Sequence, residues 1–136
     1  MENEIRKRFD TGRVRVTFEG EGRDVIASCS FDPTDTGLLS RAEEVASFFS
    51  SGMEDSLDDA RALSDLIEEK ICYMLGYDAR EELFGRVSAT TISPDGELFA
   101  FAVLDTISCA MGAELESRGA ALRERVGHYT AKYQGK

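Results

Sequence analysis

Residues Leu57–Gly85, LDDARALSDLIEEKICYMLGYDAREELFG, carry the most regular apolar spacing of the chain. Leu63, Ile67, Ile71 and Met74 recur at intervals of three and four, which places them on one stripe of a helix. Asp58, Asp59, Asp65, Glu68 and Glu69 fall mainly on the opposite side. Asp55 or Ser56 is placed to cap the start, where the first amides have no partner within the helix. Gly76 is placed to stop it, because glycine enters the left-handed conformation at little cost. Asp78, with Glu81 three residues on, marks a second start. The spacing therefore predicts a helix over 57–75 and a short one over 79–84, with Leu83 and Phe84 folded back onto the first. This is the pattern of a core, not of a catalytic centre.

Upstream of it, Val14, Val16 and Phe18 alternate with Arg13, Arg15 and Thr17, the period of a half-buried strand. Glu19-Gly20-Glu21-Gly22 makes a turn, and Val25, Ala27, Cys29 and Phe31 alternate again, so 13–31 is expected as a β-hairpin. A lone hairpin is marginal and must pack on helices or on another sheet. Asp32-Pro33 opens the next helix, with Asp35 or Thr36 as alternative starts; Leu38, Ala42, Val45 and Phe49 mark its inner face, and Ser50-Ser51-Gly52 its end. Residues 1–12 are polar, with Ile5 and Phe9 as candidate anchors.

Downstream, Val87–Ile92 has some strand character, and Ser93-Pro94-Asp95-Gly96 is a turn signal. From Glu97 a long helix begins, with Leu98, Phe101, Leu104, Ile107 or Ser108, Met111 and Leu115 on one stripe, widened by Phe99 and Val103. Beyond Leu115 the pattern thins, and Leu122, Val126, Tyr129 and Tyr133 continue at helical spacing. The expectation is one α+β domain over 1–136: an N-terminal β-hairpin packed on a bundle of three to four helices, with a long C-terminal helix. Its parts are a flexible segment 1–12, the hairpin 13–31, a helical body 32–115 and a basic amphipathic segment 116–136.

The length of 136 residues suits one domain with a core that needs no staples. Hydrophobic residues make up 42% and no apolar run approaches the ~18 residues of a membrane span, so no membrane partner is expected. The segment MENEIRKRFD has charges and no apolar stretch, which reads as a cytoplasmic protein without a signal peptide. Cys29, Cys72 and Cys109 are odd in number and widely spaced, so buried free thiols are expected and no zinc site.

The net charge is −10, which argues against nucleic-acid binding. It is unevenly spread: residues 43–69 hold nine acids against Arg61, a net −8, and residues 116–136 hold five bases against two acids, a net +3. Two readings are open, a solvated acidic face with a basic tail, or steering of a charged partner. The narrow stripe in the basic segment buries little in a monomer, and tyrosine and arginine favour interfaces. Arg118, Leu122, Arg125, Val126, Tyr129 and Tyr133 are thus the candidate partner-binding residues, on a second copy or another protein.

No catalytic, cofactor or metal constellation emerges. Gly20-Glu21-Gly22 lies between strands, lacking the helix N-terminus that a dinucleotide loop needs. Asp32 and Asp35 are three apart, where phosphotransferase aspartates are two apart. Glu54, Asp55, Asp58 and Asp59 lack the alternation and central glycine of a calcium loop. His128, the only histidine, has no serine or cysteine at a motif spacing. Met74 and Met111 read as core fillers.

The order of these parts, with Ile67-Glu-Glu-Lys-Ile71, Leu75-Gly76, Glu82-Leu83-Phe84-Gly85 and the basic Tyr129-Thr-Ala-Lys-Tyr133, resembles the small tail assembly chaperones of long-tailed phages and prophages of Gram-positive bacteria. The resemblance runs from about Val14 to Tyr133, and the apolar helix around Cys109 has no counterpart in it. It implies a non-enzymatic protein, without cofactor, that binds the tape measure protein and also the tail tube subunit while the tail is built, and is absent from the finished virion. It also implies a longer frameshifted product beside this one. Alternatives from the residues alone are another small interaction protein, such as a head–tail connector component or regulatory adaptor, and a small enzyme with carboxylates on the acidic central helix.

Overall fold

The computed structural model describes residues 2–51 and 59–134 of the chain. It is a two-stranded antiparallel hairpin followed by four helices, an α+β fold that is mostly helical. The elements are β1 (Val14–Glu19), β2 (Val25–Phe31), α1 (Thr36–Ser51), α2 (Ala60–Leu75), α3 (Arg80–Phe84) and α4 (Phe99–Gln134).

In the hairpin Val14 pairs with Phe31, Val16 with Cys29 and Phe18 with Ala27. Val16, Ala27, Cys29 and Phe31 are buried as the alternation requires. Val25 is not: it is 53% exposed. A bulge between Phe18 and Glu19 pairs Glu19 with Val25 and leaves Ile26 as the extra residue. A bulge re-aims every side chain beyond it, so Ile26 is drawn to half-burial and Val25 turned out. The connecting turn closes through Gly20 N–H to the Asp24 carbonyl at 2.8 Å, with Gly22 at φ 86.

α1 begins at Thr36, the later of the expected starts. Pro33 is buried in the turn before it, and Asp35 Oδ1 accepts from the Gly37 amide at 3.0 Å. Leu38 and Val45 are buried, with Ala42 and Phe49 packed against them. α2 starts at Ala60, capped by Asp59, whose carboxylate accepts from the Ala62 amide at 3.2 Å. Asp55 and Ser56, the expected caps, lie outside the described residues; Asp59 is the cap. Gly76 closes the helix at φ 82, its amide bonded to the Cys72 carbonyl. Leu63, Ile67, Ile71 and Met74 are all buried and form the centre of the core.

α3 is one short turn starting at Arg80, whose amide bonds the Asp78 carboxylate at 3.2 Å. Leu83 and Phe84 fold inward as expected. Phe99 makes T-shaped contacts with Phe18 and Phe84, ring centroids 5.7 and 6.0 Å apart, which tie hairpin, α3 and the start of α4 together. The expected strand over 87–92 does not form. Only one bridge, Ile92 to Leu98, is present, with Ala89 buried and its carbonyl taken by Ala100 N–H. The turn at 93–96 does form, with Gly96 at φ 90.

α4 differs most from expectation. It starts at Phe99, and its buried residues are Ala100, Val103, Ile107 and Met111. Phe101 and Leu115, expected inward, are exposed. No described residue of α4 beyond Met111 is buried, though the helix runs on to Gln134. At 1.5 Å per residue, roughly 35 Å of it extends past the core.

Candidate partner-binding site

The far half of α4 meets the N-terminal segment. Arg118 donates to the carbonyls of Thr11 at 2.8 Å and Gly12 at 2.7 Å, and to Glu114 at 3.1 Å. Thr11 Oγ1 donates to Asp32 at 3.0 Å, and Arg13 pairs with Asp32 at 3.5 Å. The segment is therefore held by its backbone. Ile5 and Phe9, the expected anchors, are 91% and 80% exposed. The backbone takes the anchoring role because Arg118 presents a fork of donors that two adjacent carbonyls fill.

Two clefts flank this contact. One, of about 650 Å³, lies between Phe9, Thr11, Asp32, Leu115, Arg118 and Leu122. The other, of about 560 Å³, adds Lys7, Arg8, Ala121 and Arg125. Of the predicted partner-binding residues, Arg118, Leu122 and Arg125 are brought together here. Arg118 is already engaged within the chain, whereas Leu122 and Val126 are 60% and 51% exposed. Val126 lies one turn further along, and the side chains of Tyr129 and Tyr133 lie outside what is described.

A third groove was not foreseen. It holds about 360 Å³ between α1 and the near half of α4, with a floor of Ala42, Ala46, Phe49, Phe101 and Leu104 and an edge at Asp105. Phe49 and Phe101 meet edge to face at 5.5 Å. The signal for it is in the sequence: α4 has apolar residues on two faces, and a single stripe through Leu98–Leu115 merges them.

The other polar cluster joins α3 to the hairpin. Glu82 pairs with Arg15 at 3.2 Å and accepts from Ser28 Oγ at 3.3 Å and Tyr77 Oη at 3.1 Å. Tyr77 Oη in turn accepts from the Ser30 amide at 3.0 Å. Burial, with Glu82 adding and Arg15 opposing, pushes the Cys29 thiol up to about 11. Such a thiol is protonated at neutral pH and a poor nucleophile. Tyr77 is also raised, first by burial. This cluster joins two elements and lies apart from the three clefts above; at Tyr77 it borders a further open depression lined by Glu69, Cys72, Tyr73, Asp78 and Arg80.

The cysteines are free, but only Cys29 is buried; Cys72 is half-buried and Cys109 exposed. Cys109 is on the outer side of α4, away from the Val103–Ile107–Met111 face. Of the acids near the start of the central helix, Asp59 is used as a cap, and 54–58 lie outside the described residues. Among the described residues, no three His, Cys, Asp or Glu side chains are grouped to hold a metal ion. On α2, Asp65 and Glu69 are exposed and Glu68 accepts from Ser64 at 3.0 Å. No helix of the described residues is long and apolar enough to cross a membrane. Comparison with family models, curated proteins and solved structures finds no match.

Proposed function

We propose that this chain is a non-enzymatic assembly chaperone that holds the tape measure protein, and also the tail tube subunit, in soluble form during phage tail morphogenesis in the host cytoplasm. The observation that carries the reading is the apolar stripe Leu115, Leu122, Val126 on a helix that has left its own core. Most helical stability in proteins comes from packing of an amphipathic face, so an apolar stripe that its own core leaves uncovered points to a partner. A tape measure protein is a long helical chain with apolar stripes, and helix-in-groove docking is the mode such a face serves. The strongly negative body keeps the complex dispersed. The solvated carboxylates of α2 weigh against the enzyme reading, which needs two that converge under cover.

The test is co-expression with a tape measure protein, scored by the soluble fraction of the client. The chain is expected to hold the client in solution, and Leu122→Asp with Val126→Asp to release it to the pellet. A client equally insoluble with and without the wild-type chain overturns the proposal.

A further inference from the structure

Two faces run along α4. The core face is Ala100, Val103, Ile107 and Met111. About a third of a turn away, exposed or half-exposed positions recur at alternating intervals of four and three, from Phe101 to Asp105, Ser108 and Gly112. The same beat continues through Leu115, Gly119, Leu122 and Val126. Four-three spacing is the register in which two helices can pack along a seam, and Phe101, Leu115, Leu122 and Val126 are the apolar members of this one.

We infer that this seam is filled by the same seam of a second copy, running antiparallel. The rhythm fits itself in one register. Phe101 faces Val126 of the other chain, Asp105 faces Leu122, Ser108 faces Gly119 and Gly112 faces Leu115. Phe101 and Val126 stand at the ends, and each of the two inner pairs includes a glycine, Gly119 against Ser108 and Gly112 against Leu115. Gly112 sits beside the two-fold axis, and a Cβ built on it meets nothing within 4 Å, so this stretch of backbone is open to close approach. The end positions have a receptor: Leu122 and Val126 of one copy enter the groove of Phe49, Ala46 and Leu104 on the other. They cannot enter the groove of their own chain, because Leu104 and Leu122 are fixed roughly 27 Å apart on one rigid helix.

Charge selects the direction. Asp105 is the one charged residue between Phe99 and Ala113, and the body it belongs to, residues 1–115, carries −13 of the net −10. The far half carries Arg118, Arg123 and Arg125. Antiparallel pairing sets those arginines against the acidic half; parallel pairing sets them against their own copies, which is repulsive. The result is a closed two-fold dimer in which each copy covers the other's stripe. The dimer uses the same Leu115, Leu122 and Val126 stripe as the client reading and covers it in the client-free protein, so sedimentation without a client tests the pairing by itself.

Sedimentation equilibrium of the full chain tests it. A dimer is expected, weakened at least about tenfold by Leu122→Glu with helical circular dichroism of the body retained. Orientation is read by cysteine pairs in a Cys109→Ser background. Ser108→Cys with Gly119→Cys is expected to give a covalent dimer on mild oxidation. Within one chain these positions are about 16 Å apart and cannot bridge. Ser108→Cys alone is expected to give none. A wild-type chain that is monomeric at every concentration, a dimer indifferent to Leu122→Glu, or cross-linking by Ser108→Cys alone each overturns the inference.

Discussion

Ile67 and Cys29 show what single positions contribute. Ile67 has no exposed surface and lies at the middle of the α2 stripe, among Leu63, Ile71 and Leu83 in the core. Ile67→Ala removes three carbons and leaves a void, which costs about 2–5 kcal/mol. Urea unfolding is expected to show a loss of stability of that size, and an unchanged midpoint would place the core elsewhere. Cys29 supplies a pH signature. Its thiol ionises near 9.0 when unfolded and is pushed up to about 11 in the fold, chiefly by burial and then by Glu82. The folded state thus holds the proton more tightly. Its contribution to stability is fully present below pH 9 and is lost as the pH rises toward 11. Other groups titrate in that range, so the measurement is a difference: wild type is expected to lose more stability across it than Cys29→Ala. Parallel stability curves for the two would refute the assignment.

At the scale of elements, the hairpin, α1, α2 and α3 were legible because each carries one apolar face, and one face gives one period. Gly76 and Gly96 announced their turns because the chain there needs positive φ. Two things were hidden. The bulge after Phe18 depends on pairing between strands, which no single-strand alternation contains, so Val25 was misplaced. α4 carries two apolar faces, and reading them as one put Phe101 and Leu115 in the core and missed the α1–α4 groove altogether. The candidate site was half legible: the Leu122–Val126 stripe is exposed as read, but Arg118 is committed to the N-terminal backbone, a contact 107 residues apart in sequence that only the fold creates. That contact is itself testable. Arg118→Ala removes the donors to Thr11 and Gly12, one bond exposed and one part-buried, and what they hold is the N-terminal segment, not the core. Global stability is expected to stay nearly constant. Trypsin cleavage after Arg6, Lys7 and Arg8 is expected to quicken several-fold as the segment is released. Cleavage at the wild-type rate would mean that something other than Arg118 holds the segment.

At the scale of the molecule, buried structure and charge are separated along one axis. Every buried residue among those described lies at or before Met111, and the segment whose net charge is positive lies after Leu115. Removing residues 120–136 takes away Arg123, Arg125, Lys132 and Lys136 with Glu124, and moves the net charge from −10 to −13. Gly119 and Arg118 remain, so the N-terminal contact survives. Surface deletions distant from a core change stability little, so the melting temperature is expected to hold. Binding is a different matter. The deletion removes Leu122 and Val126 together with the net-positive end of the molecule, and leaves copies of net charge −13 that repel one another. Client holding and self-association are therefore expected to fall together. The wild-type chain should lose affinity for acidic surfaces as salt rises, because exposed charges are screened beyond ~8–10 Å at ordinary ionic strength. The apolar share of the contact should persist in high salt, since burial of Leu122 and Val126 does not depend on it. Self-association that disappears wholly with salt would make the charges the contact and leave the stripe idle. A truncated chain that still binds and associates would show that the far half of α4 has no part in either.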